Sequence, residues 1–229
     1  MQYLGGKSKT RKQIASFLES IRKPGQVYLE PFVGGAWVLQ EMSGERLASD
    51  SNKALIVMYK ALQNGWLPPE DVSEALYAKY KQMQNEDDPL TAFIGIGCSF
   101  GGKWFGGYAR QKGYNFAAGG RRALQKQLPL IVGAQFFAKD YSEWCPTNML
   151  IYCDPPYENT TGYKDKFDHI LFWETMRRWA KDNVVVISEY RAPSDFECVL
   201  EMPTKTIIRD ASNKPLQSVE RLFMYRKGE

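Results

Sequence analysis

Apolar positions along the first third of the chain switch repeatedly between two periods. Ile14, Ala15, Phe17, Leu18 and Ile21 recur at helical spacing and predict a helix over 8–21, ended by Pro24-Gly25. Val27 to Glu30 reads as a short strand that stops at Pro31, and a helix is expected from Ala36 to Met42. Leu47 to Ser49 is a second strand ending at Asp50, and Asn52 to Asn64 a helix with Leu55, Ile56, Tyr59 and Leu62 on one face. This alternation of strand, turn and helix is that of a parallel α/β sheet.

From Pro68 to Leu130 the pattern changes. Residues 70–84 and 89–98 look helical, 99–120 are glycine-rich without a period, and 121–128 read as a further short helix. The α/β pattern then resumes. Ala134–Ala138, Met149–Cys153 and Val184–Ser188 are strand-like, Phe167–Lys181 is helical, and Lys205–Arg209 with Val219–Tyr225 suit a closing hairpin. The expected organisation is a catalytic α/β domain from residues 1–66 and 131–229, with an inserted, mainly helical subdomain at 67–130.

The chain has 229 residues, 44% hydrophobic and 24% charged, enough for one such domain with an insertion. No apolar run approaches a membrane span, and Met1–Lys12 lacks the apolar core of a signal peptide, so a cytoplasmic protein is expected. The cysteines (Cys98, Cys145, Cys153, Cys198) form no Cys-x-x-Cys pair, and His169 is the sole histidine. Metal clusters, a disulfide framework and a Ser-His-Asp triad all lack material, and no metal is expected.

Charge changes the picture only locally. The net charge is +4, yet no acidic residue occurs between Asp88 and Asp140, where Lys103, Arg110, Lys112, Arg121, Arg122, Lys126 and Lys139 lie. Interleaved among them are Phe100, Trp104, Phe105, Tyr108, Tyr114 and Phe116. A one-signed segment with aromatics and glycine favours a polyanion, whereas the bland alternative is a solvated face with accidental bias.

The most specific motif is Asp154-Pro155-Pro156-Tyr157, directly after the strand Leu150–Cys153. A rigid turn explains the prolines. It explains neither the acid before them nor the aromatic after them, at a strand end where α/β proteins place ligands. Asp154 and the Pro155 carbonyl can accept hydrogen bonds from an aromatic amine, and the prolines hold both acceptors still. Tyr157 offers a face for an extruded base, a stack worth about 1–3 kcal/mol, comparable with the cost of flipping. Glu30-Pro31-Phe32-Val33-Gly34-Gly35 forms a second strand-end turn in which glycines permit close approach of a ligand. Asp50, at the next strand end, suits ribose hydroxyls or serves as a helix cap. Gly5-Gly6-Lys7 is either a solvated tail or a cation aimed at a cofactor carboxylate.

Taken in order, Tyr3-Leu4-Gly5-Gly6-Lys7, Glu30 to Gly35, Asp50-Ser51-Asn52, an insertion and Asp154 to Tyr157 resemble the Dam family of DNA adenine methyltransferases, in the motif order of the alpha group. Tyr163, Ser188-Glu189-Tyr190 and the segment from Ser212-Asn213 to Glu220-Arg221-Leu222-Phe223 extend the resemblance over nearly the whole chain. It implies a Rossmann-like sheet, S-adenosylmethionine (SAM) as cofactor, no metal, and methyl transfer to the 6-amino group of a flipped adenine in double-stranded DNA. It also implies that Tyr3, Lys7, Glu30, Phe32, Gly34, Gly35, Asp50 and Asp154 contact or border the cofactor, and that Asp154, Pro155, Pro156 and Tyr157 are catalytic.

Two positions depart from the family pattern. Tyr3 stands where Trp is frequent, and Ala36-Trp37 continue the glycine turn where a small residue and Val or Ser are usual, so that Trp37 either crowds the pocket or packs beneath it. The segment from Ser99 to Tyr108 is similar to phage-type members, and no target sequence is carried over. Lys103, Arg110 and Lys112 are candidate phosphate contacts. Arg110, Tyr108 and Asn115 are candidates for base edges, and Trp104, Arg121 and Arg122 for the same DNA face. A monomer or weak dimer in a bacterial or phage-infected cell is expected. The open alternatives are transfer to the cytosine 4-amino group or to RNA, and a non-catalytic DNA-binding derivative.

Overall fold

A computed structural model describes residues 1–156, 167–209 and 215–226. Helix α1, Arg11–Ile21, buries Ile14, Ala15 and Leu18 on one face and ends where Arg22 turns extended ahead of Pro24. Strand β1, Tyr28–Glu30, is short and wholly buried; Pro31, which lacks an N–H, follows it. The expected helix over 36–42 is absent except for one 3₁₀ turn, Leu39–Glu41. The reason is Ala36, whose φ of +53° places it in the left-handed region, where a right-handed helix cannot begin. Strand β2, Arg46–Asp50, leads to helix α2, Lys53–Gln63, whose N-terminus is capped by Asn52 Oδ1 accepting from Leu55 N at 3.2 Å.

The expected insertion contains α3, Glu74–Met83, capped by Ser73, and α4, Pro89–Ala92, capped by Asp88 with proline in its first turn. The latter runs on as a π-helical turn, Phe93–Gly97. Helix α5 spans Phe116–Ile131, far longer than the expected 121–128. Gly119 and Gly120, which read as loop residues, lie inside it for packing reasons. A Cβ on Gly119 would fall 2.2 Å from Tyr114 Oη, and one on Gly120 would fall 3.1 Å from Phe93. Strand β3, Gln135–Ala138, strand β4, Leu150–Cys153, helix α6, His169–Trp179, strand β5, Val184–Glu189, and the long pair β6, Phe196–Arg209, and β7, Pro215–Tyr225, complete the chain.

The seven strands form one sheet in the order β3-β2-β1-β4-β5-β7-β6. All pairs from β3 to β5 are parallel, and β7 is antiparallel to both neighbours. The chain builds outward from β1 through β2 to β3, then returns to place β4 on the other side of β1. That reversal makes the carboxyl ends of β1 and β4 a topological switch point, the place where open α/β sheets bind ligands.

Side-chain alternation sorts the strands between two cores. Leu29, Ile151, Cys153, Val185 and Ile187 pack with Phe172, Met176 and Trp179 of α6. Tyr28, Leu150, Tyr152, Val186 and Leu222 pack on the opposite side with α1 and α2. Val72, Tyr77, Phe93, Leu124 and Ile131 belong to this second core as well. Segment 67–130 therefore shares its apolar interior with the sheet's helices. Among the described residues, no helix is long and apolar enough to cross a membrane, and no group of three or more His, Cys, Asp or Glu side chains could hold a metal ion.

Candidate active site

The same alternation that buries Leu29 and Cys153 on one face puts Glu30 and Asp154 on the other, together with Ser188 and Glu220. A row of polar groups thus crosses β1, β4, β5 and β7 near the switch point. Lys7 descends onto this row just before α1. Its ammonium lies 2.7 Å from Asp154 Oδ1 and 3.7 Å from Glu220 Oε1, with the Gly5 carbonyl at 3.5 Å. Ser188 Oγ donates to Glu220 Oε1, tying the second carboxylate to β5. Lys7 is 7% exposed, Asp154 19% and Glu220 12%. Burial pushes the Lys7 ammonium down, but the carboxylates of Asp154 and Glu220 outweigh it and hold its pKa above the usual lysine value. A buried cation with two anions is a pair whose members are costly to remove singly.

The sequence reading directs Lys7 at a cofactor carboxylate. In the structure Lys7 is buried, and its described partners are Asp154, Glu220 and the Gly5 carbonyl. Glu220 is a further neighbour in this cluster, and the motifs assign it no role. Strand parity was the available signal, since Glu220 shares the face of Leu222.

The turn after β1 is held from beneath. Gly34 N donates to Asp50 Oδ2 at 3.0 Å, and Asn52 N donates to Asp50 Oδ1 at 2.9 Å. Burial raises the Asp50 carboxyl against the pull of those two amides. Tyr59 Oη donates to the Gly34 carbonyl at 2.8 Å. Glu30, read as a cofactor residue, is 3% exposed beneath the turn and accepts from Tyr28 Oη at 2.8 Å. Burial lifts its carboxyl well above the usual range, the Tyr28 hydrogen bond opposes this, and the nearby Asp154 charge adds to the rise.

The glycines of the turn meet protein side chains. A Cβ on Gly34 would lie 2.8 Å from the Tyr3 ring, and one on Gly35 or Gly6 would lie 2.7 Å from Trp37 Nε1. Trp37 therefore wedges between the Gly5-Gly6 segment and the turn, with the Arg11 guanidinium 5.6 Å over its ring. Phe32 points to the α6 side, stacked on Tyr141 at 5.1 Å and edged by Phe167 and Phe172, each at 5.9 Å. Pro155 is buried and Pro156 half-buried beside Asp154; Tyr157 and Tyr163 lie outside the described residues.

The expected DNA-contacting residues are spread over the loop after the π turn and over α5. The loop is rigidly braced. Phe105 N donates to Gly95 O at 2.7 Å, Phe100 N to Gly107 O at 2.8 Å and Ala109 N to Cys98 O at 2.9 Å. Phe105 is buried as its anchor, while Phe100 is 74% exposed. The loop also meets the N-terminal segment, with Gln2 Nε2 donating to Ser99 O at 2.6 Å and Leu4 N to Gly102 O at 3.2 Å. Tyr108, Arg110, Lys112 and Tyr114 line a shallow concavity of about 410 Å³.

The positive field expected there is partly cancelled. Arg110 pairs with Glu74, Arg121 lies 3.5 Å from Glu70, and Asn115, which caps α5, donates to Asp71 at 3.2 Å. Those acids precede the acid-free tract and fold back onto it. Tyr108 Oη donates to Val72 O at 2.7 Å, and half-buried Trp104 packs against Phe105. Lys103, Lys112 and Arg122 are the exposed cations of the set without an ion pair among the described residues.

Two strand-end acids, a glycine turn and a buried lysine at one switch point suit a nucleoside-bearing ligand with an amine acceptor next to it. Residues 3–93 match the family model of the D12 class N6 adenine-specific DNA methyltransferases. That span holds the Lys7 segment, the Glu30–Gly35 turn and Asp50, and it supports an adenine-specific DNA methyltransferase enzyme. The chain is similar to the crystal structure of the "putative RNA methyltransferase" PH1948 from Pyrococcus horikoshii, at 12% identity and a TM-score of 0.42, over 96% of this chain and 82% of that one. No curated protein matches the chain.

Proposed function

We propose that this protein transfers the methyl group of SAM to the exocyclic 6-amino group of an adenine flipped out of double-stranded DNA. The observation that carries the reading is that β4 pairs with β1 at the sheet's switch point, which sets the Asp154-Pro155-Pro156 turn beside the turn after β1, with Lys7 paired to Asp154.

The residues present fit the cofactor. Asp50 is held by two main-chain amides, and each carboxylate oxygen keeps a further lone pair for a ribose hydroxyl. The turn of Phe32 to Gly35 and the ring of Tyr3 border the position of the methionine part. When bound, SAM supplies a methyl group on an electron-poor sulfonium.

This chain's own groups do the rest. Asp154 and the Pro155 carbonyl accept hydrogen bonds from the adenine amine and orient its lone pair, which is otherwise delocalised into the ring. The Lys7 ammonium, 2.7 Å from Asp154, holds that carboxylate in place, and Glu220 at 3.7 Å and the Gly5 carbonyl hold Lys7 in turn. The buried Pro155 limits motion of both acceptors, so little reorganisation remains at the moment of reaction. Tyr157, next in the motif, stacks on the flipped base. Phosphate contacts fall to Lys103, Lys112 and Arg122, which have no ion pair among the described residues, with Arg110, Tyr108 and Asn115 nearest the base edges. By its likeness to phage-type members over Ser99 to Tyr108 the enzyme is read as one of that type, and it is taken to act as a monomer or weak dimer in the cytoplasm.

The test is methyl transfer from labelled SAM to duplex DNA, single-stranded DNA and RNA, followed by nucleoside mass analysis. Duplex-dependent N6-methyl-2′-deoxyadenosine that vanishes in a folded Asp154→Ala protein is expected. Methylated cytosine, or labelled RNA only, would refute the reading.

A further inference from the structure

Helix α5 lies in the segment read from sequence as DNA-recognising, yet one of its side chains reaches the cofactor turn. Gln127 Nε2 donates to the Gly35 carbonyl at 2.9 Å and to the Ala36 carbonyl at 3.3 Å. Gln127 is 5% exposed, and its Oε1 is buried without a hydrogen-bond partner among the described residues. A half-satisfied buried amide destabilises a core that an apolar side chain of the same length would fill without penalty. What the amide supplies in return is a pair of donors at the least favourable backbone in the turn, where Gly34 and Ala36 both have positive φ, +43° and +53°.

The helix that delivers this amide is fixed to the frame at its carboxyl end and to the segment's own start at its amino end. Arg46 Nη1 donates to Leu130 O at 2.6 Å and Nη2 to Val132 O at 2.7 Å, while Gln63 Nε2 donates to Ile131 O and Ala134 O, each at 2.9 Å. Near its start, Arg121 donates to Pro68 O. Gln127 sits between these anchors, less than two turns beyond Arg121 and Arg122. Displacement of α5 therefore moves the donor relative to the turn.

We infer that Gln127 is a positioning residue for the cofactor turn, through which segment 67–130 forms part of the SAM site. This rests on the reading of that turn as the SAM site. Loss of two neutral hydrogen bonds corresponds to a SAM affinity lowered on the order of tenfold.

The experiment measures SAM affinity by calorimetry, and KM for SAM and for DNA, on the full chain carrying Gln127→Met or Gln127→Leu. Gln63→Met is the control, because it removes an equivalent amide from the far end of α5 without touching the turn. Both Gln127 variants should bind SAM more weakly and raise KM for SAM with KM for DNA unchanged. Gln63→Met should lower the melting temperature and leave SAM affinity as in the parent. Unchanged SAM affinity in a folded Gln127 variant overturns the inference, as does an equal loss in Gln63→Met. If the parent protein itself fails to bind SAM, the reading of the turn falls first, and the inference with it.

Discussion

Ala36 shows how a single backbone angle decides local structure. An L-residue with a Cβ costs about 1–2 kcal/mol in the left-handed region, and Ala36 sits there at φ +53°, fully buried. Replacing it by glycine removes that strain and adds unfolded-state entropy. Ala36→Gly should therefore gain roughly 0.5–1 kcal/mol in chemical denaturation; a loss would mean that the Ala36 methyl group's packing dominates. Glu30 makes a pH prediction. Its folded pKa is raised, so its contribution is fully present below the unfolded value near 4.5 and is lost as pH rises through the folded value. Glu30→Gln should flatten the fall in stability between the unfolded value and the raised folded one, and an unchanged slope would place the titration elsewhere. Lys7→Met should cost about 3–5 kcal/mol in chemical denaturation at neutral pH, because it leaves the Asp154 and Glu220 carboxylates without their buried cation. Of these residues, Lys7, Glu30 and Asp154 were legible as chemistry from motif spacing. The contact between Lys7 and Asp154 was not, because the two are 147 positions apart.

At the scale of elements, β1, β2 and β4 were legible because each is a brief apolar run cut off by Pro31, Asp50 or Asp154, whereas β6 and β7 begin at Phe196 and Pro215, ahead of the expected 205 and 219. The helices of the insertion were less so. Gly119-Gly120 reads as loop, and only tertiary crowding by Tyr114 and Phe93 explains two glycines within a capped helix. The loop after the π turn was seen as aromatic and basic. Sequence could not separate its buried anchor from its exposed tip, since period fails in irregular backbone. The two differ in consequence. Phe105→Ala should cost about 3–5 kcal/mol in denaturation, whereas Phe100→Ala should leave stability within about 0.5 kcal/mol. The charges of this region also divide. Arg110 and Arg121 already have acidic partners, so Arg122→Ala and Lys112→Ala should reduce the salt dependence of DNA binding more than Arg110→Ala does. Equal slopes for all three would show that the ion pairs open on binding.

For the whole molecule, the parallel α/β class followed from alternation of strands and helices, while the strand order did not, because pairing across β1 is a long-range event. That order matters most, since it places the Asp154 turn beside the turn after β1 and below Lys7. The central claim is that this junction methylates adenine in DNA. Long-read methylation mapping of a methylation-free genome expressing the protein tests it most directly. N6-methyladenine at one recurring short sequence, absent when Asp154→Ala is expressed at the same level, is the predicted result. A map without methylated adenine from soluble, SAM-binding protein would contradict the account.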